Sequence, residues 1–158
     1  MEEKTIETRI AICQPSELCA ADRQLVELAK EATSRSYSKY SHFSVGAAVR
    51  LDNGQSVVGC NQENAAYGVT MCAERTALFA AGAQHPDCAV VAIALAAKTC
   101  GGFTAEPVTP CGSCRQALVE TELRFKHEVR IIMYGEKRTF VVDGIKGIMP
   151  LSFDDALL

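Results

Sequence analysis

The sequence predicts an α/β protein built on one mixed sheet with helices on both faces. Two strand-length stretches, Val45 to Leu51 and Ser56 to Asn61, flank the hairpin turn Asp52-Asn53-Gly54. Beyond residue 70, segments rich in helix formers alternate with strand-like runs. One such run, Val90 to Ala97, is apolar throughout and bounded by breakers, the pattern of a strand buried on both faces.

Each element has its own local signal. Residues 1–14 begin with charges and then alternate loosely from Thr5 to Ile12, as an edge strand or an ordered extension would. After Pro15 and Ser16, the apolar residues Leu25, Val26, Leu28, Ala29 and Ala32 fall at helical spacing. They predict a helix over roughly residues 17–36, with Asp22 near its start as a cap. Tyr37 to Ser44 is a polar and aromatic loop, followed by the hairpin. Cys72 to Gln84 carries Ala77, Leu78, Ala80 and Ala81 and is stopped by Gly82 and Pro86, a second helix. Thr99 to Thr109 reads as a loop and Cys111 to Leu123 as a third helix. Val129 to Tyr134 and Thr139 to Val142 are strands around Gly135-Glu136-Lys137, and the tail from Gly144 is a loop followed by a short helix. No repeat or linker interrupts the 158 residues, so residues 1–158 are expected to form a single domain, with 1–14 a possible extension.

Composition narrows the function classes. The net charge is −3, from 16 basic and 19 acidic side chains, and no Lys/Arg-rich run appears, which argues against a nucleic-acid partner. The longest apolar run, Ala89 to Ala97, is far too short to span a membrane. Met1 to Arg9 is charged and lacks the apolar core of a secretory signal, so a cytoplasmic location is expected. Eight cysteines would there be reduced thiols, for which close pairing points to metal more often than to disulfides.

Cys111 and Cys114 form a CxxC at a helix start, where both side chains can point at one centre. Taken alone, such a pair serves metal or redox chemistry equally well. Cys72, followed two residues later by Glu74, supplies a third thiol, and no fourth cysteine or histidine falls into ligand spacing beside it. Three protein ligands with one open position is the arrangement of catalytic zinc, so Cys72, Cys111 and Cys114 are expected to hold Zn²⁺. A glutamate in a first helical turn ordinarily faces water and favours the helix dipole. Beside a zinc ligand, Glu74 could instead take a proton from water and hand it to a leaving group. Zinc with three thiolates carries a net charge of −1. Two helix N-termini, each worth about half a positive charge, and Arg75 hydrogen-bonded to the sulfurs would offset it.

The runs Cys72-Ala73-Glu74-Arg75 and Pro110-Cys111-Gly112-Ser113-Cys114-Arg115-Gln116 resemble the zinc signature of the cytidine deaminases, in the small homotetrameric class with three cysteine ligands. Tyr37 to Ala48, Gly59 to Tyr67 and Pro150 to Phe153 are also similar to that family, so the resemblance covers about residues 20–155 in order. It implies a three-layer α/β/α deaminase fold around a five-stranded sheet and hydrolytic deamination of free cytidine and deoxycytidine in pyrimidine salvage. Zinc-activated hydroxide would attack C4 while Glu74, not itself a ligand, shuttles protons to N3 and the departing amino group. It also implies that Asn61 and Glu63 hold the ribose 3′-hydroxyl and that Phe43 packs on the pyrimidine. Tyr67 and Phe153 would reach a neighbouring subunit's pocket, hence a homotetramer. Spacing alone makes Asn61 and Glu63 an exposed pair, and the three aromatics core residues.

The chain departs from the family pattern at four places. Ser44 stands where proline is common, and Thr109 where serine is. The stretch from Thr99 to Glu106 is longer than in many members, and Asp154-Asp155 replaces Gly-Pro after Phe153. Two other functions stay in play: a deaminase of an aminonucleoside antibiotic of the blasticidin-S type, and a non-catalytic binding module stapled by zinc. Arg75-Thr76 resembles the cytidine enzymes more than the former, and a staple has no use for Glu74.

Overall fold

The structure, a computed structural model, describes residues 1–154. Its strands are β1 (Ala11–Cys13), β2 (Ser44–Leu51), β3 (Ser56–Cys60), β4 (Val90–Thr99), β5 (Gly102–Phe103), β6 (Arg130–Met133) and β7 (Thr139–Asp143). The helices are α1 (Ala20–Ala32), α2 (Ala73–Gln84) and α3 (Gly112–Phe125). The strands form one sheet in the order β1-β7-β6-β4-β2-β3, with β5 paired to the end of β4. Only β4 and β6 run parallel; the other pairs are antiparallel, so the sheet is mixed as the sequence predicts.

The expected five strands are β2, β3, β4, β6 and β7, and two more join them. β1 is drawn from the N-terminal extension and pairs Ala11 to Cys13 with Val141 to Thr139. β5 arises inside the stretch read as a loop, where Lys98 and Thr99 pair with Phe103 and Gly102. A two-residue strand carries no periodicity, so sequence pattern cannot reveal it. The tail also differs in order: a 3₁₀ turn, Ile145–Gly147, comes first and an irregular stretch follows to Asp154. The short helix expected after it falls partly on residues 155–158, outside the described residues.

Helices cover both faces. α1 packs Leu25, Val26 and Ala29 on Ala48, Ala92, Ala94, Ala96, Ile132 and Val141. α2 and α3 bury Ala77, Leu78, Ala81, Leu118 and Val119 against Val49, Ile93, Leu95, Ile131 and Met133. These are alternate residues of the same strands, so the central strands are apolar on both sides, in keeping with the continuous run in β4. Small residues bring the layers close. A Cβ on Gly46 would lie 2.0 Å from the Ala29 carbonyl oxygen of α1, and one on Gly59 2.4 Å from the Ala77 nitrogen of α2.

Asp22 is not the cap of α1. Cys19 occupies that position, and Asp22 lies buried in the first turn. Its carboxylate meets Arg50 of β2 at 3.2 Å and Arg130 of β6 at 2.9 Å. Arg50 and Arg130 pair with the same residue of β4, Ala92, from opposite sides. One carboxylate thereby spans three strands and fixes α1 over them.

Candidate metal centre and substrate pocket

Cys72 and Cys111 are the N-cap residues of α2 and α3, and Cys114 lies one turn into α3. Both cap positions turn their sulfurs toward a shared centre. The three sulfurs all lie within 4.8 Å of one another. Cys72 Sγ is 3.8 Å from Cys111 Sγ, which is 3.5 Å from Cys114 Sγ. Zinc–sulfur bonds of about 2.3 Å in tetrahedral directions put sulfurs about 3.8 Å apart, so the spacing fits zinc. Among the described residues no further His, Cys, Asp or Glu donor joins this group.

The thiols themselves call for a cation. Burial pushes the Cys114 thiol far above its ordinary range, and the Glu74 charge adds to it. Burial likewise raises Cys72, against a hydrogen bond from Arg75 that lowers it. For Cys111 burial is outweighed by hydrogen bonds from the Cys114 backbone and side chain, and this thiol sits below its usual range. Three thiolates gathered in one half-buried spot are costly without a positive ion, and metal binding displaces their protons. Arg75 supplies part of the compensation: its Nη2 lies 3.7 Å from Cys72 Sγ, and its Nε is buried without a hydrogen-bond partner.

Glu74 is 6 % exposed, in the first turn of α2, although nothing in the helix requires a carboxylate there. Burial raises its pKa, opposed by hydrogen bonding and by the Arg75 charge. It shares a cavity of about 460 Å³ with Phe43, Asn61, Glu63, Cys72 and Cys111. A carboxyl that is close to the sulfurs, buried, and outside the ligand group is equipped to exchange protons.

The far wall of this cavity is stitched from three segments. Tyr37 N donates to Asn61 O, Glu63 N to Tyr37 O, and Gln62 and Met71 exchange a pair of backbone hydrogen bonds. The segment carrying Asn61 and Glu63 is thus tied directly to the residue preceding Cys72. Asn61 is buried, and its Oδ1 accepts from Ser36 Oγ at 2.6 Å and Val45 N at 2.8 Å. Its Nδ2 donates to Phe43 O at 2.9 Å, leaving one amide hydrogen to give. Asn61 therefore frames the pocket as well as lining it.

Tyr67 lies in an adjoining cleft of about 330 Å³ that shares Ser41, Glu63 and Thr70 with the main cavity. It is 77 % exposed, edge-on to Tyr40. Phe153 is elsewhere, in a groove of about 700 Å³ between α2 and α3, with Gln116 Nε2 donating to its carbonyl at 2.7 Å. The structure also adds wall residues to which the sequence reading gave no role: Ser41, Thr70, Met71, Val108 and Thr109. All but Met71 are small or polar loop residues with nothing in their spacing to mark them.

Residues 20–129 match the family model described as the cytidine and deoxycytidylate deaminase zinc-binding region. A cytidine deaminase of Halalkalibacterium halodurans is 48 % identical over 101 residues, 63 % of this chain and 71 % of that protein. One of Mycobacterium tuberculosis is 40 % identical over 108 residues, 65 % of this chain and 74 % of that protein. The crystal structure of a cytidine deaminase from Burkholderia pseudomallei superposes with a TM-score of 0.70 at 36 % identity, over 82 % of this chain and 97 % of the other. With the three sulfurs at zinc spacing and the match running across the fold, the chain belongs to the zinc-binding family of cytidine and deoxycytidylate deaminases.

Proposed function

We propose that the protein deaminates free cytidine and deoxycytidine to uridine and deoxyuridine, releasing ammonia. The observation that carries this is Glu74, buried beside three gathered sulfurs and not one of them. Cys72, Cys111 and Cys114 would hold Zn²⁺, which when bound supplies the Lewis acidity that makes water a nucleophile near neutral pH. The Glu74 carboxylate takes one proton from the attacking water and delivers it to N3 of the ring. The second passes by the same carboxyl to the amino group, the C4–N bond breaks, ammonia leaves and C4 keeps the oxygen. A raised pKa suits this double duty, because the group must accept and release protons in one turnover. Phe43 packs on the pyrimidine, and Asn61 and Glu63 take the sugar hydroxyl. Arg75 neutralises the sulfurs.

We assign the 158 residues to one deaminase domain with an N-terminal extension, acting in the cytoplasm as a homotetramer in which Tyr67 and Phe153 reach neighbouring pockets. No helix among the described residues is long and apolar enough to cross a membrane. A zinc staple without catalysis would leave the buried Glu74 unexplained, since burying an unneeded carboxyl costs stability.

Glu74→Gln tests the assignment. The variant keeps the shape and loses the proton carrier, so turnover of cytidine should fall by about 10²–10⁴-fold or more. Zinc content and melting temperature should stay at wild-type values. Ammonia release at the wild-type rate from the variant, or none from the zinc-loaded wild type, rejects the mechanism.

A further inference from the structure

We propose that Ser41 is a positioning residue for the sugar contact: its hydroxyl joins the backbone of Phe43 to the carboxylate of Glu63 and so sets the distance between the base-binding and sugar-binding groups. The inference rests on the deaminase function proposed above and adds to it a residue to which neither the motif nor the spacing gives a role.

The geometry is a relay of hydrogen bonds. Phe43 N–H donates to Ser41 Oγ at 3.0 Å, and the Ser41 hydroxyl donates in turn to Glu63 Oε1. The other carboxylate oxygen, Oε2, accepts from Tyr40 N at 2.7 Å and Ser41 N at 3.2 Å. Glu63 is thus gripped on both oxygens by one turn of chain, and Ser41 supplies two of the three donors. A carboxylate that accepts so many hydrogen bonds stays ionised and fixed in direction, which is what an acceptor for a sugar hydroxyl requires.

The turn is built for this purpose. His42, between Ser41 and Phe43, has φ of 55°, in the left-handed region that residues other than glycine adopt only occasionally. Its N–H is held by the Ser38 carbonyl at 2.9 Å, and the hydroxyls of Ser38 and Ser44 meet at 2.9 Å across the loop. The kink aims Ser41 and Phe43 into the same cavity, where both line the wall with Glu63. Asn61, by contrast, accepts from Ser36 and Val45 and meets this turn only through its Nδ2 bond to the Phe43 carbonyl, with no direct bond to Ser41. Of the two sugar-binding side chains, only Glu63 is bonded by this hydroxyl directly.

The test is steady-state kinetics of the zinc-loaded enzyme on cytidine and on 2′,3′-dideoxycytidine, which lacks both ring hydroxyls. In Ser41→Ala, KM for cytidine should rise about fivefold with kcat within about twofold, because a lost ground-state contact appears in KM. kcat/KM for the dideoxy analogue should fall less, since it has no hydroxyl for Glu63 to accept and feels only the lost bond to Phe43. Ser41→Thr, which keeps the donor, should restore KM to within about twofold of wild type. An unchanged KM in Ser41→Ala overturns the assignment. So does an equal loss on both substrates, which would make the hydroxyl a fold contact without a role at the sugar. If the wild type itself is inert on cytidine, the deaminase function fails and takes this assignment with it. An active wild type with an indifferent Ser41→Ala removes the assignment alone.

Discussion

Asp22 lies in the first turn of a helix, where a carboxylate ordinarily faces water, yet it is 2 % exposed. Burial by itself would push its carboxyl up. Hydrogen bonds from Arg130 and Cys19, the Arg130 charge and a hydrogen bond from Arg50 outweigh this, and the group titrates below its usual range. The sign of the pH effect follows. A depressed folded pKa means that the native state prefers the ionised form, so the stabilisation is complete above the unfolded value near about 3.9 and disappears as pH falls through the folded one. Wild type should therefore lose stability below about pH 4, and Asp22→Asn should lack that part of the acid limb. At neutral pH the variant should be weaker by about 2 kcal/mol, less than the 3–5 kcal/mol of a fully buried pair because Arg130 reaches solvent. Glu122 acts oppositely: burial raises its carboxyl while the Val129 and Ile145 amides lower it, and its ionisation opposes folding as pH rises. Denaturant melts of wild type and Asp22→Asn between pH 2.5 and 7 subtract that contribution, and parallel curves would reject the account.

At the scale of elements, the site is held by how closely α2 approaches β3. Gly59 is the point of contact: a Cβ there would meet the Ala77 nitrogen at 2.4 Å, the Ala73 carbonyl at 2.7 Å and the Ala77 Cα at 2.9 Å. All three are backbone atoms and cannot swing aside. Gly59→Ala must move the helix that begins at Cys72 and carries Glu74, at a cost of about 3 kcal/mol. Zinc affinity should drop with it, since one sulfur moves away from the two on α3, whereas Gly54→Ala at the hairpin turn should leave zinc affinity intact. Equal zinc affinity in Gly59→Ala and wild type would separate the helix position from the metal site. Elements of this length were legible in the sequence: α1, α2, α3 and the five longer strands all come from apolar periodicity and breakers. So was the gathering of Cys72, Cys111 and Cys114, because ligands of one ion impose strict spacing. The role of Gly59 was not, since a close approach of two backbones depends on a partner distant in sequence. Ser41 and the ion pairs of Asp22 were hidden for the same reason.

Among the described residues, several large apolar side chains stand exposed on the surface of the whole molecule. Tyr67 is 77 % exposed, Phe153 61 %, Leu151 80 %, Val69 65 % and Phe79 55 %. Phe79 and Phe153 line one groove between α2 and α3, together with Leu78, Ala117 and Phe125. Tyr67 and Val69 stand on the loop that borders the substrate cavity. Exposed aromatics grouped in this way mark interaction surfaces, and the proposed homotetramer would cover them. Phe153 lines the groove between α2 and α3 and not the cavity of its own chain, so a pocket it serves belongs to another copy. Assembly and catalysis would then be coupled, because a dissociated chain has a sugar site open to water beside an exposed Tyr67. Light scattering of the purified protein should give about four times the chain mass of 17.0 kDa. Dilution through the dissociation range should lower specific activity in step with the loss of tetramer. Tyr67→Ser should weaken assembly and raise KM for cytidine together, with zinc still bound. A monomer at every concentration that keeps full specific activity would show instead that each cavity is complete within one chain, and the exposed aromatics would need another partner.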